Sequence, residues 1–171
     1  QNTKEILITF IANSNIRDIL SKLASKLFLD YTNVVGVTLN IQPNSTNCIY
    51  GDKSILLAGK QYYKEKFLGL SLMIDSSSFF QVNVKAAELV VMYIIDWFKN
   101  RSTIHKIVDS YCGIGTISLP LAYNGFNVIG LEINHNSCKL AKVNAKLNNI
   151  KCIEFISGDV KNLMQNLINK E

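Results

Sequence analysis

A carboxylate, a thiol and two glycines occur together in residues 109–116, whose sequence is DSYCGIGT. Asp109 ends an apolar segment, and Gly113 and Gly115 precede a segment of helical spacing. Glycines let a ligand come close to the backbone, and the N-terminus of a helix offers free N–H groups. The spacing therefore predicts a nucleotide-binding turn.

Two cofactors suit such a turn. A dinucleotide is typically bound by GxGxxG, but Ser118 occupies the third glycine position here. Asp109 would repel a diphosphate and attract a sulfonium or ammonium group. Glu132 ends the next predicted strand, where a carboxylate can accept hydrogen bonds from both hydroxyls of a ribose. These residues favour S-adenosylmethionine over NAD.

Two further residues near the turn have alternative interpretations. Asp159 follows the third predicted strand, where it could accept from an adenine amino group or cap the helix predicted over residues 160–169. Cys112 is a possible nucleophile, because a thiol near a helix N-terminus can become more acidic. We interpret it as part of the cofactor turn instead, since its loop would cradle the cofactor.

The elements around these residues divide the chain near residue 76. Strand and helix patterns alternate after that point, with a helix over 84–99 before the first strand and helices over 117–125 and 134–149 between strands, which predicts a parallel sheet with crossover helices. Residues 1–75 predict a small α+β unit with a helix over 14–28, capped by Ser14 or Asn15 and packed on an antiparallel sheet. A hairpin is expected to turn at Gly51-Asp52 and another near Gly69.

Composition and charge limit the class of protein. Of the 171 residues, 48% are hydrophobic, which is enough for a core, and no apolar run is long enough to span a bilayer. The four cysteines form no CxxC pair or zinc spacing, so we expect reduced thiols in a cytoplasmic protein and no metal. The net charge of +5 is compatible with a polyanionic partner such as RNA.

Three segments together resemble one family, the RNA uracil-5-methyltransferases that modify 23S ribosomal RNA and tRNA. They are LLAGKQYYKEKFLGLSLMIDSSSFFQVN, DSYCGIGTISLPLA and GLEINHNSCKLAKVNAKLNNI. The form YCGIGT is closer to the bacterial ribosomal RNA branch. The resemblance implies a partial Rossmann-like methyltransferase sheet from residue 76 to 171, preceded by an α+β subdomain over 1–75.

The resemblance also implies a site for S-adenosylmethionine. Its cofactor-binding residues would be Gln81, Tyr111, Gly113, Gly115, Thr116, Glu132 and Asp159. Gln81 would contact the cofactor, Tyr111 and Thr116 would line its methionine and ribose side, and Asp159 would approach the adenine. Many members have Asn in place of Thr116, but threonine still offers a hydroxyl.

Part of the family's chemistry is expected outside this chain. The family's nucleophilic cysteine and general base lie beyond the third strand, so neither is assigned here, and we expect an internal fragment that is inactive alone. The uncovered sheet edge could drive pairing between chains. RNA contact is expected from three sets of basic and aromatic residues, namely Lys139, Lys142 and Lys146; Lys99, Arg101, His105 and Lys106; and Lys60, Tyr62, Tyr63, Lys64 and Lys66. A solvated helix face explains the first set at least as well.

Three functions therefore remain open from the sequence. The first is S-adenosylmethionine-dependent methylation of C5 of uridine in RNA, most specifically in 23S ribosomal RNA. The second is an NAD-type oxidoreductase, and the third is a non-catalytic RNA-binding module that keeps the cofactor fold.

Overall fold

The computed structural model describes residues 2–101 and 103–169, which form two compact units. The first unit runs to Glu65 and includes Ile74–Ser77, and the second comprises Lys66–Met73 and the chain from Ser78 onward. Lys66–Met73 thus groups with the second unit, whereas the sequence predicts a boundary between residues 75 and 76. That boundary stays a prediction.

The first unit contains a three-stranded sheet with one helix on it. Its elements are β1 (Ile6–Ala12), α1 (Arg17–Asp30), β2 (Val34–Ile41) and β3 (Lys53–Gly59), and the strand order is β1-β2-β3. Ala24 of α1 is fully buried against Val34 and Val37 of β2. Apolar residues at helical spacing on α1 and at alternate positions on the strands therefore form this core.

The expectation of an antiparallel sheet in this unit is wrong in part. β1 pairs with β2 in parallel and β2 pairs with β3 antiparallel, because α1 crosses over between β1 and β2. The expected tight hairpin at Gly51 is also wrong. Residues 42–52 form a loop instead, and the side chain of Asn40 holds it by accepting from the Gly51 N–H and donating to the Gly51 carbonyl.

A hairpin formed by β4 (Tyr62–Phe67) and β5 (Leu70–Asp75) follows β3 along the chain. Its turn is at Leu68 and Gly69, as predicted. Both residues have positive φ, 48° and 80°, which is typical of the tight turns that suit the twist of antiparallel strands.

The second unit contains a parallel sheet with helices between its strands. Its remaining elements are α2 (Val84–Lys99), β6 (Lys106–Asp109), α3 (Ser118–Tyr123), β7 (Asn127–Glu132), α4 (His135–Leu147), β8 (Ile153–Ser157) and α5 (Val160–Ile168). The strand order is β6-β7-β8, and both pairs are parallel. The predicted alternation of strand and helix is confirmed, although residue 170 of the last helical prediction lies outside the described residues.

Local sequence explains where these helices begin. The side chain of Asn83 accepts from the Ala86 N–H at the start of α2, and Asn134 accepts from the Ser137 N–H at the start of α4. The N-cap predicted for α1 at Ser14 or Asn15 is wrong. Ile16 is the N-cap residue, and the side chain of Asn15 accepts from the Arg17 N–H. The core of this unit includes Leu119, Leu131 and Phe155, which hold α3 and the sheet together.

Candidate cofactor site

The turn after β6 is held by backbone hydrogen bonds at both ends. The Cys112 N–H donates to the Leu131 carbonyl at 3.0 Å, and the Gly115 N–H donates to the Cys112 carbonyl at 2.8 Å. Gly113 and Gly115 have φ values of 53° and 92°, in the region that favours glycine. The two glycines therefore allow the chain to turn sharply from the strand into α3.

The carboxylate of Glu132 connects the end of β7 to this turn. Its Oε2 accepts from the Gly113 N–H at 2.9 Å, and its Oε1 accepts from the Asn134 N–H at 2.7 Å. A carboxylate has about four lone-pair positions, so each oxygen can accept a further hydrogen bond. Glu132 is thus fixed in orientation and still able to bind a hydroxyl group.

Asp109 lies at the same edge of the sheet, at the end of β6. Its Oδ2 accepts a hydrogen bond of 2.5 Å from the hydroxyl of Ser118, the first residue of α3. Asp109 pairs with Gly130 in the register between β6 and β7, two residues before Glu132. The two carboxylates therefore come from neighbouring strands and face the same region.

A cavity of about 470 Å³ lies at this edge. Its volume is within the range of roughly 300–1,000 Å³ that is common for small-molecule sites. The lining residues are Phe79, Phe80, Gln81, Asn83, Ala86, Ala87, Val90, Val91, Asp109, Tyr111, Cys112, Gly113, Thr116, Ile117 and Glu132. All of them belong to the second unit.

The charged side chains among the described lining residues of this cavity are all acidic. Among the described residues, those that line it include the carboxylates of Asp109 and Glu132 and no Lys, Arg or His. The remaining walls are largely apolar and aromatic, which strengthens the effect of a charge inside. The cavity therefore suits a ligand with a positive centre better than a polyanion.

The structure brings together five of the seven predicted cofactor residues. Those that line the cavity are Gln81, Tyr111, Gly113, Thr116 and Glu132. Gly113 has open space where a Cβ would stand, so a ligand could approach its backbone.

The other two predicted residues lie elsewhere. Gly115 is buried, and a Cβ there would be 2.8 Å from Leu119 Cδ1, so it serves the packing of α3. Asp159 is exposed and caps α5 by accepting from the Asn162 N–H at 3.0 Å. The cap interpretation of Asp159 thus matches its geometry, and its approach to a ligand stays a prediction.

Sequence reasoning missed one wall of the cavity. Asn83, Ala86, Ala87, Val90 and Val91, at the first three turns of α2, line it. The apolar residues of this helix differ in exposure, since Val90 is 58% exposed whereas Val91 is 3% exposed. Small residues in the first turn, directly after FFQVN, were the available signal.

Cys112 has the properties of a structural thiol. It is 5% exposed, and burial raises the pKa of its thiol well above the usual range, with the Asp109 and Glu132 carboxylates raising it further. A Cβ on Gly130 would be 2.9 Å from its sulfur, so the thiol packs tightly against β7. These features disfavour thiolate formation, which nucleophilic catalysis requires.

The basic residues suggested for RNA contact are largely at the surface. Lys139, Lys142 and Lys146 are exposed along α4. Lys64 and Lys66 are exposed on β4 and alternate with the buried residues Glu65 and Phe67. Exposure is compatible with RNA contact and with ordinary solvation, so the role of these residues stays a prediction.

The described residues contain neither a metal-binding cluster nor a membrane-spanning helix. Within residues 2–101 and 103–169, no group of three or more His, Cys, Asp or Glu side chains could hold a metal ion. None of the helices in the described part of the chain combines the length and apolar character needed to cross a membrane. The four cysteines are free thiols.

Comparison with known proteins identifies relatives along the whole chain. The family model described as tRNA (Uracil-5-)-methyltransferase matches residues 2–171. An RNA methyltransferase of Prochlorococcus marinus is 42% identical over 167 residues, which is 98% of this chain and 40% of that protein. Another, from Parasynechococcus marenigrum, is 43% identical over 165 residues, 96% of this chain and 35% of that protein.

Two solved methyltransferase structures have a fold similar to that of this chain. The tRNA (uracil-54, C5)-methyltransferase of Pyrococcus abyssi, solved in complex with S-adenosyl-L-homocysteine, is 25% identical, with a TM-score of 0.69 over 91% of this chain and 36% of that one. A SAM-dependent methyltransferase of Agrobacterium tumefaciens has a TM-score of 0.58 at 16% identity over 83% of this chain and 45% of that one, which supports the fold alone.

These comparisons confirm the predicted Rossmann-like α/β fold class. The chain spans about 40% or less of the length of the curated relatives it matches here. The family predicted from the three sequence segments is confirmed as well. The comparisons do not specify the ribosomal RNA branch. This chain belongs to the tRNA (uracil-5-)-methyltransferase family.

Proposed function

We propose that the cavity at the ends of β6 and β7 binds S-adenosylmethionine, and that the chain is part of an enzyme that methylates C5 of uridine in RNA. The observation that carries this proposal is the pair of carboxylates, Asp109 and Glu132, in a cavity whose described lining residues include no cationic side chain. A sulfonium and an ammonium group would each be attracted there. The pyrophosphate of a dinucleotide would be repelled.

The lining residues fit the parts of this cofactor. Glu132 is held by two backbone N–H groups and retains lone pairs for the two ribose hydroxyls. Gly113 leaves open space for close approach of the ligand to the backbone. Tyr111 and Thr116 lie beside it in the turn, and Gln81 lines the cavity from the segment before α2. The S-adenosyl-L-homocysteine complex of the Pyrococcus abyssi relative supports the same cofactor class.

In this proposal the chain binds and orients, and it supplies no nucleophile. The cofactor, when bound, provides the electrophilic methyl group. The apolar walls formed by Phe80, Ala87 and Val91 would exclude water from it. Cys112 is unsuited to attack the uracil because its thiol is buried and its pKa is raised. We place the nucleophilic cysteine and the base outside these 171 residues.

The RNA substrate has two candidates. The sequence form YCGIGT favours 23S ribosomal RNA, whereas the family description and the Pyrococcus abyssi relative name tRNA. Full-length protein incubated with methyl-labelled S-adenosylmethionine and each purified RNA distinguishes them. Label in 5-methyluridine of 23S ribosomal RNA, and not of tRNA, is the expected result.

The cofactor assignment is tested by calorimetric titration of the full-length protein with S-adenosylhomocysteine and with NADH. We expect binding of the first alone. Glu132→Gln should weaken it by about tenfold or more, because the amide can accept from only one of the two backbone donors. Glu154→Gln on β8, an exposed glutamate outside the cavity, is the control. NADH binding alone would favour the oxidoreductase, and RNA binding without either ligand would favour a non-catalytic module.

A further inference from the structure

Two asparagine side chains pair with the backbone of β5: Asn144 on α4 and Asn148, the residue directly after this helix. The Met73 N–H donates to Asn144 Oδ1 at 2.7 Å, and Asn144 Nδ2 donates to the Met73 carbonyl at 3.1 Å. One helical turn later, Asn148 makes the same two bonds with Ser71, both at 2.8 Å. Each amide thus satisfies one N–H and one carbonyl on β5, as a neighbouring strand would.

The two asparagines differ in one contact. Nδ2 of Asn144 also donates to the carbonyl of Ile114 at 3.2 Å, and this residue lies between the two glycines of the cofactor turn. The additional donation from Asn148 goes to the carbonyl of Asn144, in the last part of α4. Asn144 therefore connects β5 to the turn, whereas Asn148 connects β5 to α4.

The hydrogen bond from Asn144 to Ile114 is made in a part of the turn that has little conformational preference of its own. Gly113 and Gly115, on either side of Ile114, both have positive φ, and glycine reaches many other conformations at no steric cost. Ile114 is 1% exposed and Asn144 is fully buried. A buried carbonyl without a donor is unfavourable, so the Asn144 amide selects the observed shape of the turn.

The hairpin on the other side of Asn144 also contacts the cavity wall. The Leu68 N–H at its turn donates to Glu88 Oε1 of α2 at 2.8 Å. The ring of Phe67 packs edge-on against Phe80, a lining residue, with centroids 5.9 Å apart. Residues 66–73 of the hairpin thus contact one wall of the cavity directly and the turn through Asn144.

We propose that Asn144 is a positioning residue, which fixes the Gly113–Gly115 turn in its ligand-binding shape by joining Ile114 to β5. The identity of the ligand rests on the function proposed above, but the contact and its effect on the turn do not. Asn144 lies outside the cavity lining, so its effect on binding would be indirect.

The test compares Asn144→Ala with Asn148→Ala in the full-length protein, because both substitutions remove the same pair of bonds to β5. Hydrogen exchange should accelerate at the amides of residues 112–116 in Asn144→Ala and stay near wild type in Asn148→Ala. The dissociation constant for S-adenosylhomocysteine should rise about tenfold in the first variant and less than about twofold in the second.

A second measurement separates positioning from loss of folding. Global unfolding of Asn144→Ala would accelerate exchange at buried amides throughout the chain, whereas loss of positioning should accelerate it at residues 112–116 and leave the amides of Leu131 and Phe155 near wild type. Equal exchange at 112–116 in the Asn144 and Asn148 variants would overturn the positioning role. A wild-type protein that does not bind S-adenosylhomocysteine, but shows the exchange difference, would refute the proposed cofactor and leave the positioning role supported.

Discussion

The hydroxyl of Ser118 donates to the carboxylate of Asp109 at 2.5 Å, which joins the start of α3 to the end of β6. Ser118 is fully buried, and it stands where a dinucleotide-binding turn has its third glycine. That glycine normally permits close packing of helix and strand. Here the serine fits into the same contact and orients a carboxylate of the cavity.

Ser118→Ala should lower the free energy of unfolding of this chain by about 1–3 kcal/mol, because it removes a donor from a half-buried carboxylate. Urea denaturation followed by the fluorescence of Trp97, the one tryptophan of the chain, measures the change. Ser137→Ala on α4 is the control, since its capping contact is made by the backbone N–H that alanine keeps. Equal losses in the two variants would contradict the role of the hydroxyl.

Gly115 and Gly125 have nearly equal φ angles but different surroundings. Replacing each by alanine therefore distinguishes the cost of backbone strain from the cost of packing. Gly125, at 96°, has open space where a Cβ would stand, so Gly125→Ala should cost about 1–2 kcal/mol from the left-handed conformation. Gly115, at 92°, would place its Cβ 2.8 Å from Leu119 Cδ1. Gly115→Ala should therefore cost about 1–3 kcal/mol more. The same denaturation experiment compares them, and a smaller loss at Gly115 would show that Leu119 moves aside freely.

Local sequence predicted the elements of the second unit well. The helix expected over 84–99 is α2, and the helix expected over 134–149 is α4, which runs from His135 to Leu147. Helical spacing and capping residues determine such elements within a few positions of the chain. The turn after Asp109 and the place of Glu132 were predicted for the same reason, since the carboxyl ends of parallel strands meet at one edge.

Contacts between distant segments could not be predicted in this way. The parallel pairing of β1 with β2 and the loop held by Asn40 depend on tertiary partners. Asn144 and Met73 are 71 residues apart, and an asparagine within a helix carries no local signal of such a contact. The wall formed by α2 was missed because an apolar stripe does not show which of its residues remain exposed.

The thiols should differ in reactivity and in their effect on stability. In the native chain at pH 8, iodoacetamide should modify the exposed Cys48 and leave Cys112 unmodified, as measured by peptide mass spectrometry. Because the pKa of Cys112 is raised on folding, its protonated form is favoured in the native state. Its contribution to stability is complete below about pH 8.5, the ordinary thiol value, and is lost as the pH rises further.

Cys112→Ala is the control for this pH dependence, because it removes the titrating group. The variant should lose less stability than wild type between pH 8 and pH 10, although its stability at neutral pH is lower from the cavity it leaves. A native Cys112 that is alkylated as fast as Cys48 would contradict the burial of the thiol.

Asp159 can be tested for its two interpretations separately. Asp159→Ala removes the cap of α5 and should lower stability by about 0.5–2 kcal/mol, whereas Asp159→Ser keeps a capping oxygen and should be close to wild type. If the carboxylate contacts the adenine as well, both variants should bind S-adenosylhomocysteine several-fold more weakly in calorimetric titration. Unchanged affinity in Asp159→Ser would leave the cap as its one supported role.

The last prediction concerns RNA contact through β4. Reversing the charge of Lys64 and Lys66 to Glu in the full-length protein should weaken RNA binding, because both side chains are exposed on one strand. If each contacts a phosphate, the slope of log affinity against log salt should fall by about one for each lysine. Lys22→Glu with Lys26→Glu on α1 makes the same change in net charge and is the control. Equal effects of the two double variants would attribute RNA binding to overall charge, since a specific contact must depend on position.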